Sequence, residues 1–297
     1  MRVPFGRACP RFIRGSIRTE GKRIAEPGLP ERPSPANDEM RSVDVARRHA
    51  SSVILVDENF EWLVGGNMGP VLRDGNTVIR LSGDWTPAVH RLLSQLNEAG
   101  VPGIPEPLGT TENGREVLGF IEGTVPSYPM PPWVWTDVAL DSAARLLRQI
   151  HDATTDLEIE GPWRSPVHEP VEVICHNDFA TYNLVFDGPA VVGAIDWDFA
   201  SPGSRLWDLS YLAYRIVPLT TADWGDGFTD AVRRGRVRRL LAAYGAAARP
   251  ADLVAVLRER LHELADFSDR MAQRLDKPEL RDHAGTYRHD AAHLPVL

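Results

Sequence analysis

The strongest constraint in this chain is a pair of apolar runs around a turn, with polar residues on both outer flanks. Cys175 to Phe186 reads CHNDFATYNLVF, and Ala190 to Ala200 reads AVVGAIDWDFA. Between the runs stands Asp187-Gly188-Pro189, and an Asp-Gly pair in that place is a strong hairpin signal. In an antiparallel hairpin, the residue before the first strand and the residue after the second lie at the same open end. The spacing therefore brings Asn183 and Asp196 together. An amide oxygen beside a carboxylate suits a hard, oxygen-preferring cation such as Mg²⁺. Upstream, His176, Asp178 and Asn183 have the H-x-D-x-x-x-x-N spacing of a phosphoryl-transfer loop.

A chain of 297 residues can bury a sizeable core, in one large or two small domains. Its net charge of -8 argues against nucleic acid as a main partner. No apolar run reaches the length needed to cross a membrane. The two cysteines, Cys9 and Cys175, form no metal or redox motif, and Cys175 lies in a strand-like run. The reading is a cytoplasmic protein with a buried thiol and no membrane partner. Its oligomeric state leaves no mark on the sequence.

Residues 1–45 are arginine-rich, then proline-rich, with little apolar periodicity, and read as a disordered tail. From Val43 a short helical segment leads into strands at Phe60 to Val64, Pro70 to Arg73 and Thr77 to Leu81. The first two strands flank Gly65, Gly66 and Asn67, a loop able to bring backbone N–H groups close to phosphate, or simply a turn. Thr86 caps a helix with Pro87 in its first turn, and further strands follow at Leu108 to Thr111 and Glu116 to Ile121. The Pro- and Trp-bearing connection after Glu122 marks a boundary between residues 46–122 and 123–297. Beyond it Thr136 caps a helix whose buried stripe is Val138, Leu140, Ala143, Leu146, Leu147 and Ile150. After the hairpin, Leu206 to Ile216 reads as a buried helix, helical patterns continue to Leu275, and the rest is a frayed tail. The class is α+β: a small lobe of antiparallel sheet plus a helix, then a larger, mostly helical lobe.

The segments HNDFATYN, IDWDFA and, downstream, LWDLSY resemble the aminoglycoside phosphotransferase and choline kinase-like family, relatives of the protein kinase fold. The resemblance runs from about Phe60 to the end of the chain. It implies a bilobal kinase-like fold and an ATP-dependent transfer of phosphate to a small-molecule hydroxyl, with Mg²⁺ as cofactor and an aminoglycoside-like or amino-alcohol-like acceptor. Asp178 then faces the acceptor hydroxyl, while Asn183 and Asp196 hold the metal. His176 shapes the loop, Asp208 braces its backbone, and Asp198 assists a metal, contacts substrate or bonds locally. Adenine lies along Val117 to Ile121, with Gly119 and Ile121 as contacts. Acids on the later helices, Asp223, Asp226, Asp230, Glu263, Asp266 and Asp269, are candidates for an acceptor pocket.

Two positions depart from the kinase pattern. Arg80 stands on the strand where the fold places a lysine, and the next helix offers His90 or Glu98 as its partner. Arginine can still bind phosphate through two N–H groups. Ala180 occupies a position that protein-directed kinases fill with lysine, which favours a small acceptor. Arg80 also motivates a second reading, a catalytically idle nucleotide-binding regulatory protein of the same fold.

Overall fold

The computed structural model describes residues 60–63, 71–222 and 224–295, which fall within one compact unit, Asn59–Leu297. The tail 1–45, the helical segment from Val43, the glycine-bearing loop with Gly65, Gly66 and Asn67, and Asp223 lie outside the described residues.

Five short strands form an antiparallel sheet: β1 (Phe60–Leu63), β2 (Val71–Asp74), β3 (Thr77–Arg80), β4 (Pro107–Thr110) and β5 (Glu116–Gly119), in the order β1-β2-β3-β5-β4. Asp74 and Gly75 make the β2–β3 turn; Gly75 has φ +55° and the Thr77 hydroxyl donates to the Asp74 carbonyl at 2.9 Å. Strand β5 pairs with β3 in a register that sets Arg80 opposite Glu116. Directly opposed residues are the pairs whose side chains interact across a sheet.

Helix α1 (Thr86–Glu98) buries Val89, Leu92, Leu93 and Leu96. Its cap differs from the sequence expectation: Trp85 is the capping residue, and Thr86 already lies inside the helix. The Thr86 hydroxyl accepts from the Gly83 N–H at 2.9 Å and so closes the preceding turn instead.

The larger lobe begins with α2 (Asp137–Ala153), where the Thr136 hydroxyl accepts from the Ala139 N–H at 3.3 Å. Leu140, Ala143, Leu146, Leu147 and Ile150 are buried, but Val138 is 51% exposed in the first turn, before the stripe meets its neighbours. Strands β7 (Leu184–Asp187) and β8 (Ala190–Ala194) form the expected hairpin, and β6 (Val173–Cys175) pairs with β9 (Ser201–Gly203) on the other side of the loop. Gly103 and Gly193 make a backbone contact so close that a Cβ on Gly103 would lie 1.9 Å from the Val192 carbonyl oxygen. There the Ala194 N–H donates to the Gly103 carbonyl at 3.0 Å, tying the hairpin to the segment after α1.

Helices α3 (Arg205–Ile216), α4 (Asp230–Tyr244), α5 (Pro250–Arg274) and α6 (Glu279–His293) complete the chain. The frayed tail is therefore corrected to a full helix packed along α5. Its buried side chains are small or polar, Ala284, Asp290 and Ala291, so it shows a weak apolar stripe. Asp290 is 1% exposed and accepts from the hydroxyls of Tyr214, Thr220 and Thr221 at 2.6–2.7 Å.

Candidate functional site

The hairpin register pairs Leu184 with Ala194, so Asn183 and Asp196 flank its open end. The Ile195 N–H donates to the Asn183 carbonyl at 2.9 Å and closes that end. Two non-glycine residues here hold left-handed backbone, Asn177 and Asp196, each at φ 63°. Asn and Asp tolerate that region better than other side chains do, and such strain concentrates at functional sites.

Asp208, fully buried on α3, accepts from the backbone N–H groups of His176 at 2.7 Å and Asn177 at 2.9 Å. His151 Nε2 lies 3.2 Å from the same carboxylate. Burial alone would raise Asp208, but the hydrogen bond from His151 and the charges of His151 and Arg260 bring it below the usual carboxylate value. Arg260 on α5 donates to the Asn177 carbonyl. The loop backbone is thus held from two helices, α3 and α5, with His151 of α2 behind Asp208. His176 is fully buried, and burial lowers its pKa; its Nε2 lies 3.1 Å from the Ile195 carbonyl and its ring against Phe179 and Trp197.

On this braced loop the Asp178 carboxylate receives two donors. Tyr182 donates to Oδ1 at 2.8 Å, and the Asn183 amide donates to Oδ2 at 2.8 Å and to the Asp178 carbonyl at 3.0 Å. Burial, and next the charge of Asp196, push Asp178 up to about 6 against these donors and Arg215. Asn183 spends its N–H groups on Asp178, which leaves its side-chain oxygen for another partner. That oxygen and the Asp196 carboxylate form an all-oxygen donor set that fits a hard cation.

Arg80 is the centre of a charge cluster beside the hairpin. Its Nε donates to Glu116 at 2.5 Å, Nη1 to Asp196 at 3.1 Å and Nη2 to Asp198 at 2.5 Å. The expected partners are corrected: the acid comes from β5, while Glu98 bonds Gln95 at the end of α1. His90 takes part through that same acid, its Nε2 2.9 Å from Glu116. Desolvation disfavours the Arg80 charge, but Glu116, Asp198 and Asp196 outweigh it and raise its pKa. Burial would raise Glu116, yet His90 and Arg80 pull it down. Asp198 also takes Arg164 at 3.3 Å, whose guanidinium lies over the Phe199 and Trp85 rings. Burial outweighs Arg80 at Asp198 and leaves it raised.

Glu116, Arg164, Tyr182 and Arg215 were not singled out from the sequence. Tyr182 lies inside the motif, and the Arg80–Glu116 pairing was legible only from strand register, which sequence spacing does not fix. On the connector, the Gly119 N–H is spent on the Glu106 carbonyl at 2.8 Å. Ile121, just past the strand, has its backbone groups in no hydrogen bond among the described residues. Four candidate acceptor acids are used within the protein: Asp226 pairs with Arg233, Glu263 with His168, and Asp266 and Asp269 with Arg288. Asp230 is exposed in the first turn of α4. Cys175 is fully buried, its Sγ 3.3 Å from the Ser204 carbonyl, and burial raises its thiol pKa.

The model of the phosphotransferase enzyme family matches residues 162–253, which include the loop, the hairpin and α3. A trifolitoxin immunity protein from Rhizobium leguminosarum bv. trifolii is 32% identical over 194 residues, covering 62% of this chain and 73% of that protein. Among solved structures, a choline/ethanolamine kinase family protein from Mesorhizobium loti superposes with a TM-score of 0.57 at 20% identity, over 79% of this chain and 87% of that one. An amicoumacin kinase, in complex with AMP-PNP, Ca²⁺ and its ligand, superposes at 0.58 with 12% identity, over 80% and 89%. With three motifs in order, a matching fold and a relative at this identity, the chain belongs to the phosphotransferase enzyme family, small-molecule kinases built on a protein kinase-like fold.

Proposed function

We propose that the protein transfers the γ-phosphoryl group of ATP to a hydroxyl of a small molecule. The observation that carries this reading is the Asp178 carboxylate, oriented by Tyr182 and Asn183 on a loop that Asp208 braces, beside the oxygen donors Asn183 and Asp196. Asp178 receives the proton of the acceptor hydroxyl. The acceptor oxygen bonds to the γ-phosphorus as the bond to the β–γ bridging oxygen breaks, leaving ADP. The Asn183 side-chain oxygen and the Asp196 carboxylate are the groups that would hold Mg²⁺. When bound, that ion neutralises phosphate charge and fixes the phosphates in place. Arg80 holds its guanidinium beside the same carboxylate and is suited to take phosphate oxygens in its place. The connector at Ile121 is the proposed adenine contact, and Gly65, Gly66 and Asn67 the proposed phosphate cover. The cytoplasm, where ATP is abundant, is the compartment this reading requires.

The names of the relatives suggest a protective role. One relative is named an immunity protein and one neighbour a small-molecule kinase, and phosphorylating a toxic compound is the proposed physiological task here. Incubation with Mg-ATP and a panel of antibiotics, amino alcohols and sugars tests the reading by ADP release. Turnover that depends on one acceptor and falls by about 10²-fold or more in Asp178→Asn supports it.

A second reading, an idle nucleotide-binding regulator, draws on the bond from Arg80 to Asp196 at 3.1 Å. Tight Mg-ATP binding without turnover across the whole panel would favour it.

A further inference from the structure

Behind Asp178 lies a second charged group. Arg215 on α3 is 8% exposed, and its guanidinium is surrounded by the rings of Tyr182, Tyr211, Tyr214 and Trp224, with centroids 4.9–5.5 Å away. Its Nη2 donates only to hydroxyls, those of Tyr211 at 2.8 Å and Tyr287 at 3.2 Å. No carboxylate pairs with it among the described residues. Tyr182 stands between this cation and the base: its hydroxyl touches Asp178 on one side and Tyr211 on the other, at 3.0 Å.

A buried charge without a counter-charge is costly, and buried polar atoms normally find partners. The Arg215 Nε is buried and has no hydrogen-bond partner among the described residues. Burial raises the Tyr128 phenol, and the nearby charge of Arg215 acts against that rise. Tyr128, Tyr182 and Trp224 around it are half-buried.

We propose that Arg215 determines the acceptor class: it binds an anionic group, a carboxylate or phosphate, of the hydroxyl compound whose OH meets Asp178. This deepens the kinase reading and rests on it. An anion supplies an ion-pair partner and accepts from the Arg215 Nε. An ammonium-bearing acceptor meets the opposite conditions. The rings that would hold it by cation–π contact already enclose a guanidinium, and like charges at this depth repel strongly. Of the acids beyond Asp178, Asp226 is bound to Arg233 and Asp290 to Tyr214, Thr220 and Thr221. This proposal differs from the amine-bearing acceptor that the family resemblance implies.

A matched pair of probes tests this. 3-Hydroxybenzoate and 3-hydroxybenzylamine share a ring and a hydroxyl and differ in charge near pH 7. Calorimetric titration of the full chain is expected to give saturable benzoate binding at least about tenfold tighter than benzylamine binding, a gap of about 1.4 kcal/mol. Arg215→Lys should keep the preference and Arg215→Met should abolish it. Equal or tighter benzylamine binding would overturn the proposal. So would a benzoate preference that survives Arg215→Met, or no saturable benzoate binding up to about 10 mM. Should Arg215→Met fail to fold by circular dichroism, the wild-type ranking alone decides. Failure of the kinase reading shows separately, as Mg-ATP that yields no ADP with any acceptor while the charge preference persists.

Discussion

Asp178 keeps its carboxylate between two donors, Tyr182 and Asn183, yet burial and the Asp196 charge raise it to about 6. A base works only when ionised, so the sign is fixed: ADP release falls about tenfold per pH unit below the midpoint. A cation that neutralises Asp196 removes part of the upward push, and the midpoint moves down. The pH profile of ADP release at two Mg²⁺ concentrations checks this, with an acidic limb near 6 at low Mg²⁺ that shifts lower as Mg²⁺ rises. A midpoint that climbs with Mg²⁺ would contradict the assignment of Asp178 to that limb. The identities at this scale were readable from spacing because Asp178, Asn183 and Asp196 are local in sequence. The partners of Arg80 were not, since Glu116 lies 36 residues away and meets it only through the β3–β5 register.

Among the elements, α6 is the one the sequence concealed. A helix that buries alanines and one carboxylate leaves almost no periodic apolar signal, whereas α2 shows its stripe plainly. Asp290 does the anchoring, by accepting from Tyr214, both hydroxyls of Thr220 and Thr221, and the Thr221 backbone N–H at 2.9 Å. Asp290→Ala strands those donors in a buried place, and a loss of about 2–4 kcal/mol is expected in chemical denaturation. Amide exchange should rise through the segment after α3 at the same time. The hairpin shows the opposite case: its Asp-Gly turn made both strands and their pairing readable from the sequence.

At the scale of the molecule, the α+β order of elements followed from turn residues, caps and helical stripes, all of them short-range signals. The contacts that make the site a unit are long-range. Asp208 reaches back 32 residues to the His176 N–H, and Arg260 reaches 83 residues to the Asn177 carbonyl. Pattern reading supplied no direct warrant for these, and Asp208 was reached through resemblance alone. The contact of Gly103 with the hairpin is of the same kind, visible only once both segments are in place.

Three carboxylates, Glu116, Asp196 and Asp198, form one cluster with two guanidinium groups, Arg80 and Arg164. A bare acid cluster would need a divalent ion to become stable, and chelation would then weaken the fold. Here the chain carries its own counter-ions, so maturation of the fold does not wait on metal supply. Thermal unfolding of nucleotide-free protein should therefore keep the same midpoint with and without EDTA. In Arg80→Met the acids lose their partner, and added Mg²⁺ should then raise the midpoint. Wild-type protein that loses stability in EDTA would show that the guanidinium groups do not fill this role.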